Sequence, residues 1–282
     1  MSGSRRWSEP ALDNQLLGKD SHDWITDGDR LLRKDRSHGL VSYPSDSCVP
    51  PVYLRTNLAN VAELVPQRTA DGSLTLRNKA LDEPYHSLHG AVQESTHVFI
   101  KAGLEFVGKL HVDVLEVGLG TGLNLLLTWI RCLEGKCTVN YTALEPFPVS
   151  EPLLTSLDHC ADLAWPGLHE PFIARMTVLQ QEPWEPLGGL RFQLLQQQVQ
   201  EFQQEAVADV IYFDAFGPPT QPDMWTLDVF QRMFNALRPG GVLVTYCAKG
   251  EVRRTMQTAG FSVERLPGPL GKREMLRGRR EE

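Results

Sequence analysis

From about residue 91 onward, the chain alternates between two hydrophobic periods. Ala91 to Leu104 carries apolar residues at helical spacing (Val92, Val98, Phe99, Ala102), which predicts a helix before the first core strand. Val112–Val117 is short, apolar and β-branched, predicting a strand. A glycine turn follows, and Leu123–Ile130 then reads as a helix. The alternation continues with a strand at Val139–Leu144, a helix near Glu151–Leu163, and strands at Phe192–Leu195 and Val207–Phe213. Leu227–Leu237 reads as a helix stopped by Pro239-Gly240-Gly241, Val242–Tyr246 as a strand, and Glu251–Thr258 as a helix with Gly260 at its C-terminal cap. Phe261–Leu266 and Arg273–Leu276, separated by Pro/Gly turns, predict a terminal antiparallel pair. Strands that alternate with helices imply an α/β fold, a mainly parallel sheet covered on both faces. Upstream, Thr69 to Leu81 reads as a hairpin turning at Asp71-Gly72. Residues 1–65, rich in Ser, Asp, Arg, Asn and Pro, predict an irregular N-terminal extension, so the main domain is expected over residues 66–282.

Composition narrows the class. With 282 residues the chain can bury a full core, and 41% hydrophobic and 22% charged residues are ordinary for a globular protein. No apolar run approaches the roughly 18–20 residues of a membrane span, and Met1-Ser-Gly-Ser-Arg-Arg-Trp-Ser8 has no apolar stretch behind its basic pair. A cytoplasmic protein without a membrane role is expected. Cys48, Cys132, Cys137, Cys160 and Cys247 are odd in number and form no C-x-x-C pair. They predict reduced structural thiols, with neither a disulfide framework nor a metal site. The net charge of −7 conceals an asymmetry, because Lys249 to Arg280 holds nine Lys/Arg against three Glu. A basic end permits a phosphate-binding face on an acidic protein; a solvated basic tail is the plain alternative.

The candidate chemistry starts at Gly118-Leu-Gly-Thr-Gly122, between a predicted strand and helix. Missing Cβ atoms there let backbone N–H groups approach a ligand at a helix N-terminus. The G-x-G-x-G spacing is one residue shorter than the dinucleotide fingerprint, and Glu116 precedes it at the strand end. This combination resembles the first motif of class I, Rossmann-like S-adenosylmethionine-dependent methyltransferases. The resemblance implies a mostly parallel seven-stranded sheet with a terminal antiparallel strand, and a cofactor whose methionine end meets Glu116, Gly118, Gly120, Gly122 and Asn124. Glu145 ends the second strand, where a carboxylate can accept both ribose hydroxyls. After the third strand stands Gln198, a candidate partner for the adenine amino group or else surface filler, in place of the more usual Asp. Phe213-Asp-Ala-Phe-Gly-Pro-Pro219 resembles the rigid loop with which N-methyltransferases grip an acceptor amine. It makes Asp214 and Phe216 the catalytic candidates, with Asp214 also lining the cofactor side.

Several signatures then fall in order: Glu116-Val-Gly-Leu-Gly-Thr-Gly-Leu-Asn124, Leu144-Glu-Pro-Phe-Pro148, Phe213-Asp-Ala-Phe-Gly-Pro218 with Gln221-Pro-Asp-Met-Trp225, Arg238-Pro-Gly-Gly241, and Gly271-Lys-Arg-Glu-Met-Leu276. Together they resemble the methyltransferase half of the MnmC family of bifunctional tRNA-modifying proteins, over roughly residues 69–278. The resemblance implies transfer of a methyl group to the aminomethyl group on C5 of the anticodon wobble uridine, with the tRNA anticodon stem-loop as partner. The flavin-dependent oxidase half of that family is not recognised in this sequence, which leaves a separate oxidase acting upstream as a possible partner. Under this reading Trp225 shapes the acceptor mouth or stacks the uracil, and Lys249, Arg253, Arg254, Lys272 and Arg273 contact phosphates. Two rivals stand beside it. A methyltransferase or aminopropyltransferase acting on a small amine would share Glu116, the glycine turn and Glu145. A degenerate module that binds tRNA or a partner without catalysis is the other.

Overall fold

A computed structural model of the chain describes residues 64–177 and 188–282 in full, and from residues 1–63 only the backbone of three short strands. Those strands, β1 (Trp24–Asp27), β2 (Arg30–Asp35) and β3 (Gly39–Val41), pair in antiparallel order within a unit running Met1–Tyr53. The rest of the expected N-terminal extension, including Cys48, lies outside the described residues.

The second unit, Leu54–Glu282, holds the main sheet. It opens with the expected hairpin, β4 (Leu64–Arg68) against β5 (Leu74–Asn78), with the two-residue β6 (Glu83–Pro84) added at the edge. The turn closes as its chemistry dictates: Asp71 accepts from the Ser73 N–H at 3.1 Å, and Gly72 takes φ 90. A helix begins at Ala91–Ser95, widens to π geometry over Thr96–Leu104 and ends at Glu105–Val107.

Seven strands then form one sheet in the order β12-β13-β11-β10-β7-β8-β9. These are β7 (His111–Val117), β8 (Thr138–Leu144), β9 (Leu190–Leu195), β10 (Ala208–Phe213), β11 (Leu237–Thr245), β12 (Ser262–Pro267) and β13 (Glu274–Arg279). Strands β9, β8, β7, β10 and β11 run parallel, while β13 lies antiparallel between β11 and β12. The expected seven-stranded, mainly parallel sheet with a terminal antiparallel strand is therefore present. Period-two alternation splits its side chains between two cores. Val112, Val114, Val210 and Tyr212 pack with the helices near Phe99 and Leu126, whereas Leu115, Val117, Ile211 and Phe213 pack with Phe230 and Val252. Helices thus cover both faces.

Three boundaries differ from expectation. The stretch after β8 forms Glu151–Leu157 and His159–Asp162, then a further helix, His169–Thr177. Pro171 sits in the first turn of that helix, where its missing N–H has no partner to lose. The helix Leu227–Ala236 is followed at once by β11, so Arg238-Pro-Gly-Gly241 is an irregular strand entry rather than a loop. Gly240 and Gly241 exchange backbone hydrogen bonds with Arg280 at 2.7 and 3.0 Å, which ties that entry to the end of β13. No described helix is long and apolar enough to cross a membrane.

Candidate active site at the switch point of the sheet

The strand order reverses between β7 and β10, and in open parallel sheets the crevice beyond the strand ends at such a point receives the ligand. Glu116 and Asp214 stand there. The turn after β7 has positive φ at Gly118, Gly120 and Gly122 (87, 51 and 74), and the helix Leu123–Leu133 starts directly behind it. At Gly118 a Cβ would lie 2.8 Å from the Asp214 carbonyl oxygen, and at Gly120 3.0 Å from the Tyr85 ring, so only glycine lets this backbone lie so close to β10 and to Tyr85. His159, buried and held neutral by burial with its pKa near 3, pairs through Nε2 with the Thr121 hydroxyl at 3.1 Å and steadies the turn from below.

Asn124, on the first turn of that helix, connects the two acids. Its Nδ2 donates to Glu116 Oε1 at 2.8 Å and to Asp214 Oδ2 at 2.9 Å. Its Oδ1 is buried without a partner, an acceptor open to a donor such as a ligand ammonium. Glu116 departs from expectation. It is fully buried (0%), its second oxygen accepts from the Tyr141 hydroxyl at 2.7 Å, and burial raises its pKa well above the usual carboxylate range. Glu116 therefore orients Asn124 from behind, with no surface of its own exposed at the crevice. Burial first, and the Glu94 carboxylate second, push Asp214 up to about 7, while the Asn124 bond and the Lys272 charge oppose the rise. Asp214 is only partly covered at the strand end, so it is the carboxylate a ligand can reach.

Glu145, at the end of β8, lies as expected. Its oxygens accept from the N–H groups of Gly120 at 3.2 Å and Phe147 at 2.9 Å, which aims it at the glycine turn with lone pairs to spare for hydroxyl donors. Gln198 follows β9, capping the short Val199–Glu201 turn through its backbone; its side-chain amide bonds to no other described residue and is open to a ligand.

The acceptor loop is braced throughout. Phe216 N–H donates to Gln221 at 3.0 Å, and the Tyr246 hydroxyl donates to the Ala215 carbonyl at 2.9 Å. Phe216 meets Tyr85 edge to face at 5.0 Å. Trp225 is not at the mouth: it is 6% exposed, packs on Phe213 and Phe230, and donates its indole N–H to the Phe216 carbonyl at 2.8 Å. It holds the loop from inside the core because its ring is the largest group available to fill the space under β10.

The basic residues divide. Lys249 begins the helix Gly250–Thr258 and, with Arg254 and Arg273, is solvent-facing, whereas Arg253 is half-buried with its Nε unpaired. For Lys272, expected at a phosphate, the structure shows partners within the chain. Its ammonium pairs with the buried Glu94 carboxylate and sits 3.9 Å over the Tyr246 ring, so its charge is already engaged beside Asp214. Sequence reading missed Tyr85, Glu94 and Tyr246. Their neighbours across the chain reveal them, and no local motif marks them.

These features fit S-adenosylmethionine: a glycine cradle that admits no Cβ, an orphaned Asn124 acceptor beside an accessible carboxylate, and the Glu145 carboxylate hydrogen-bonded to the turn. Comparison with known proteins agrees. A family described as S-adenosyl-L-methionine-dependent methyltransferase matches residues 185–281. The tRNA 5-methylaminomethyl-2-thiouridine biosynthesis bifunctional protein MnmC of Cupriavidus necator is 33% identical over 215 residues, 69% of this chain and 31% of that protein. Its namesake from Magnetococcus marinus is 32% identical, over 69% of this chain and 30% of its own. The chain thus spans about a third of the length of the curated relatives it matches. The crystal structure of MNMC2 from Aquifex aeolicus superposes with a TM-score of 0.61 at 25% identity, covering 82% of this chain and 78% of that one. Sequence and backbone comparisons agree, and the chain belongs to the S-adenosyl-L-methionine-dependent methyltransferases, in the family formed by the methyltransferase domain of MnmC.

Proposed function

We propose that the enzyme methylates the amine of 5-aminomethyl-2-thiouridine at the tRNA wobble position, giving 5-methylaminomethyl-2-thiouridine, in the cytoplasm. The observation that carries the reading is Asp214, a reachable carboxylate poised near neutrality in a braced loop beside the glycine cradle. The printed activity of the relatives supports the acceptor's identity.

Bound cofactor supplies a sulfonium methyl group. The chain's own residues do the rest. The glycine turn and Asn124 would hold the methionine end, Glu145 the ribose and Gln198 the adenine edge. The acceptor amine resembles Lys, with a pKa of about 10, and reaches the site mostly as ammonium. Asp214 accepts one proton from it, which leaves the nitrogen lone pair free. That lone pair would take up the methyl group the bound cofactor supplies, the cofactor departing as its neutral thioether. Phe216 and Tyr85 supply an apolar wall that excludes water and keeps the amine neutral. Asp214→Asn should lower single-turnover methylation of aminomethyl-uridine tRNA at pH 7 by roughly 10²–10⁴-fold with cofactor affinity retained. Normal turnover in that variant removes Asp214 from catalysis. Cofactor binding by the wild type without tRNA methylation would favour a small-molecule amine as substrate.

A further inference from the structure

The contact between Glu94 and Lys272 joins residues 178 positions apart, on the helix before the core and on the turn between β12 and β13. Neither belongs to the cofactor cradle. Glu94 is buried (6%), and its second oxygen is fixed by the Ser87 N–H at 2.7 Å, so the carboxylate cannot turn away. Lys272 is held on its other side by the Tyr246 ring at 3.9 Å, and Tyr246 in turn bonds the carbonyl of Ala215, next to Asp214. A buried acid, a clamped cation and an aromatic ring thus converge on the acceptor side of one carboxylate. For a plain fold contact, an apolar pair would serve as well or better, because desolvating both ions offsets much of their attraction.

We propose that Glu94 and Lys272 are positioning residues whose opposed charges set how readily Asp214 takes the acceptor's proton. This rests on the amine-acceptor reading above. The groups facing Asp214 are Glu94 from the helix before the core, Lys272 from the β12–β13 turn, Glu116 on β7 through Asn124, Tyr141 on β8 and Tyr246 after β11. Both tyrosines are pushed up by burial and stay neutral, and Glu116 is raised well above its ordinary range by burial. Glu94 and Lys272 are therefore the pair whose charges act in opposite senses, Glu94 favouring protonated Asp214 and Lys272 favouring the carboxylate. With Glu94 alone a larger share of the acid would stay protonated at neutral pH and unable to take the amine's proton. With Lys272 alone it would bind the proton too weakly.

The test is a carboxyl carbon-13 NMR titration of Asp214, its resonance assigned by its loss in Asp214→Asn, in the cofactor-bound wild type, Glu94→Gln, Lys272→Met and Lys272→Arg. The Asp214 midpoint is expected to fall in Glu94→Gln and to rise in Lys272→Met, each by on the order of one pH unit. Lys272→Arg should stay near the wild type. Midpoints that stay put, or that move the same way in both charge-removing variants, would overturn the proposal, since loosened packing has no reason to produce opposite signs. Retained cofactor binding shows that each variant is folded. The acid limb of the single-turnover methylation profile should follow the same displacements. Opposed NMR shifts without matching displacement of that limb would uphold the charge pair and refute Asp214 as the acceptor's base.

Discussion

Burial and the Glu94 carboxylate hold Asp214 at about 7, so the folded chain keeps this proton over a range in which the unfolded chain has lost it. A free Asp titrates near about 3.9. Between these two values the native state binds more protons than the unfolded state, and stability falls as pH rises through the window. The ionised Asp214 is thus a cost to folding that the site tolerates for the sake of a base near neutrality. Asp214→Asn removes the titration while keeping a polar partner for Asn124. Its thermal midpoint relative to wild type should be higher at pH 8 than at pH 5, by a difference that calorimetric melts can resolve. An equal offset at both pH values would show that Asp214 does not titrate across that range. Asn124 joins the two acids, since its single amide nitrogen donates to both and its oxygen has no partner among the described residues.

The acceptor loop between β10 and the helix Leu227–Ala236 shows how an element is held ready without a ligand. Three backbone groups in it are taken by side chains: Phe216 N–H by Gln221, Phe216 C=O by Trp225, and Ala215 C=O by Tyr246. Trp225→Phe keeps the apolar packing on Phe213 and Phe230 but deletes the indole donor, leaving the Phe216 carbonyl short of a partner. The expected cost is about 1 kcal/mol of stability, read from denaturant midpoints. Methylation should slow while cofactor affinity holds, since the bond lies on the acceptor side. A variant that weakens cofactor binding instead would place Trp225 in the other half of the site. Sequence alone showed where this loop lies and that it is stiff, through Pro218, Pro219 and the strand end before it. It could not show that Trp225 points inward, because an aromatic beside prolines reads alike as a lid or as a core plug. The same limit governs the rest. Period-two strands and the glycine turn are local and legible. Glu94, Tyr85 and Lys272 acquire their roles from neighbours brought in by folding, and Lys272 in a basic run looks like any phosphate contact. Glu116 was legible as an acid at a strand end but not as a buried one, since burial depends on Tyr141 arriving from β8.

At the scale of the whole molecule, a net charge of −7 leaves the basic C-terminal end as a described region suited to attract a polyanion. Much of that end is already committed. Arg277 pairs with Glu264 at 2.6 Å, Arg265 with Glu274 at 3.5 Å, and Arg280 donates to the carbonyls of Phe234, Asn235 and Leu237. Lys272 is committed to Glu94. Among the described residues, Arg254, on the helix that follows β11, and Arg273, next to Lys272 on the β12–β13 turn, are solvent-facing and outside these ion pairs. Phosphate contacts show themselves in the salt dependence of binding, each one contributing a slope of roughly 0.7–0.9 in log K against log salt. Arg254→Glu with Arg273→Glu should therefore weaken tRNA binding and flatten that slope by roughly 1.4–1.8 if both residues meet phosphates. Lys272→Met, by contrast, should leave the slope where it is and act on the pH profile instead. Fluorescence titrations of labelled tRNA across a salt series separate the two. A slope that flattens in Lys272→Met and not in the arginine pair would reverse the assignment, with the lysine reaching the tRNA backbone and Glu94 merely its partner in the unbound enzyme.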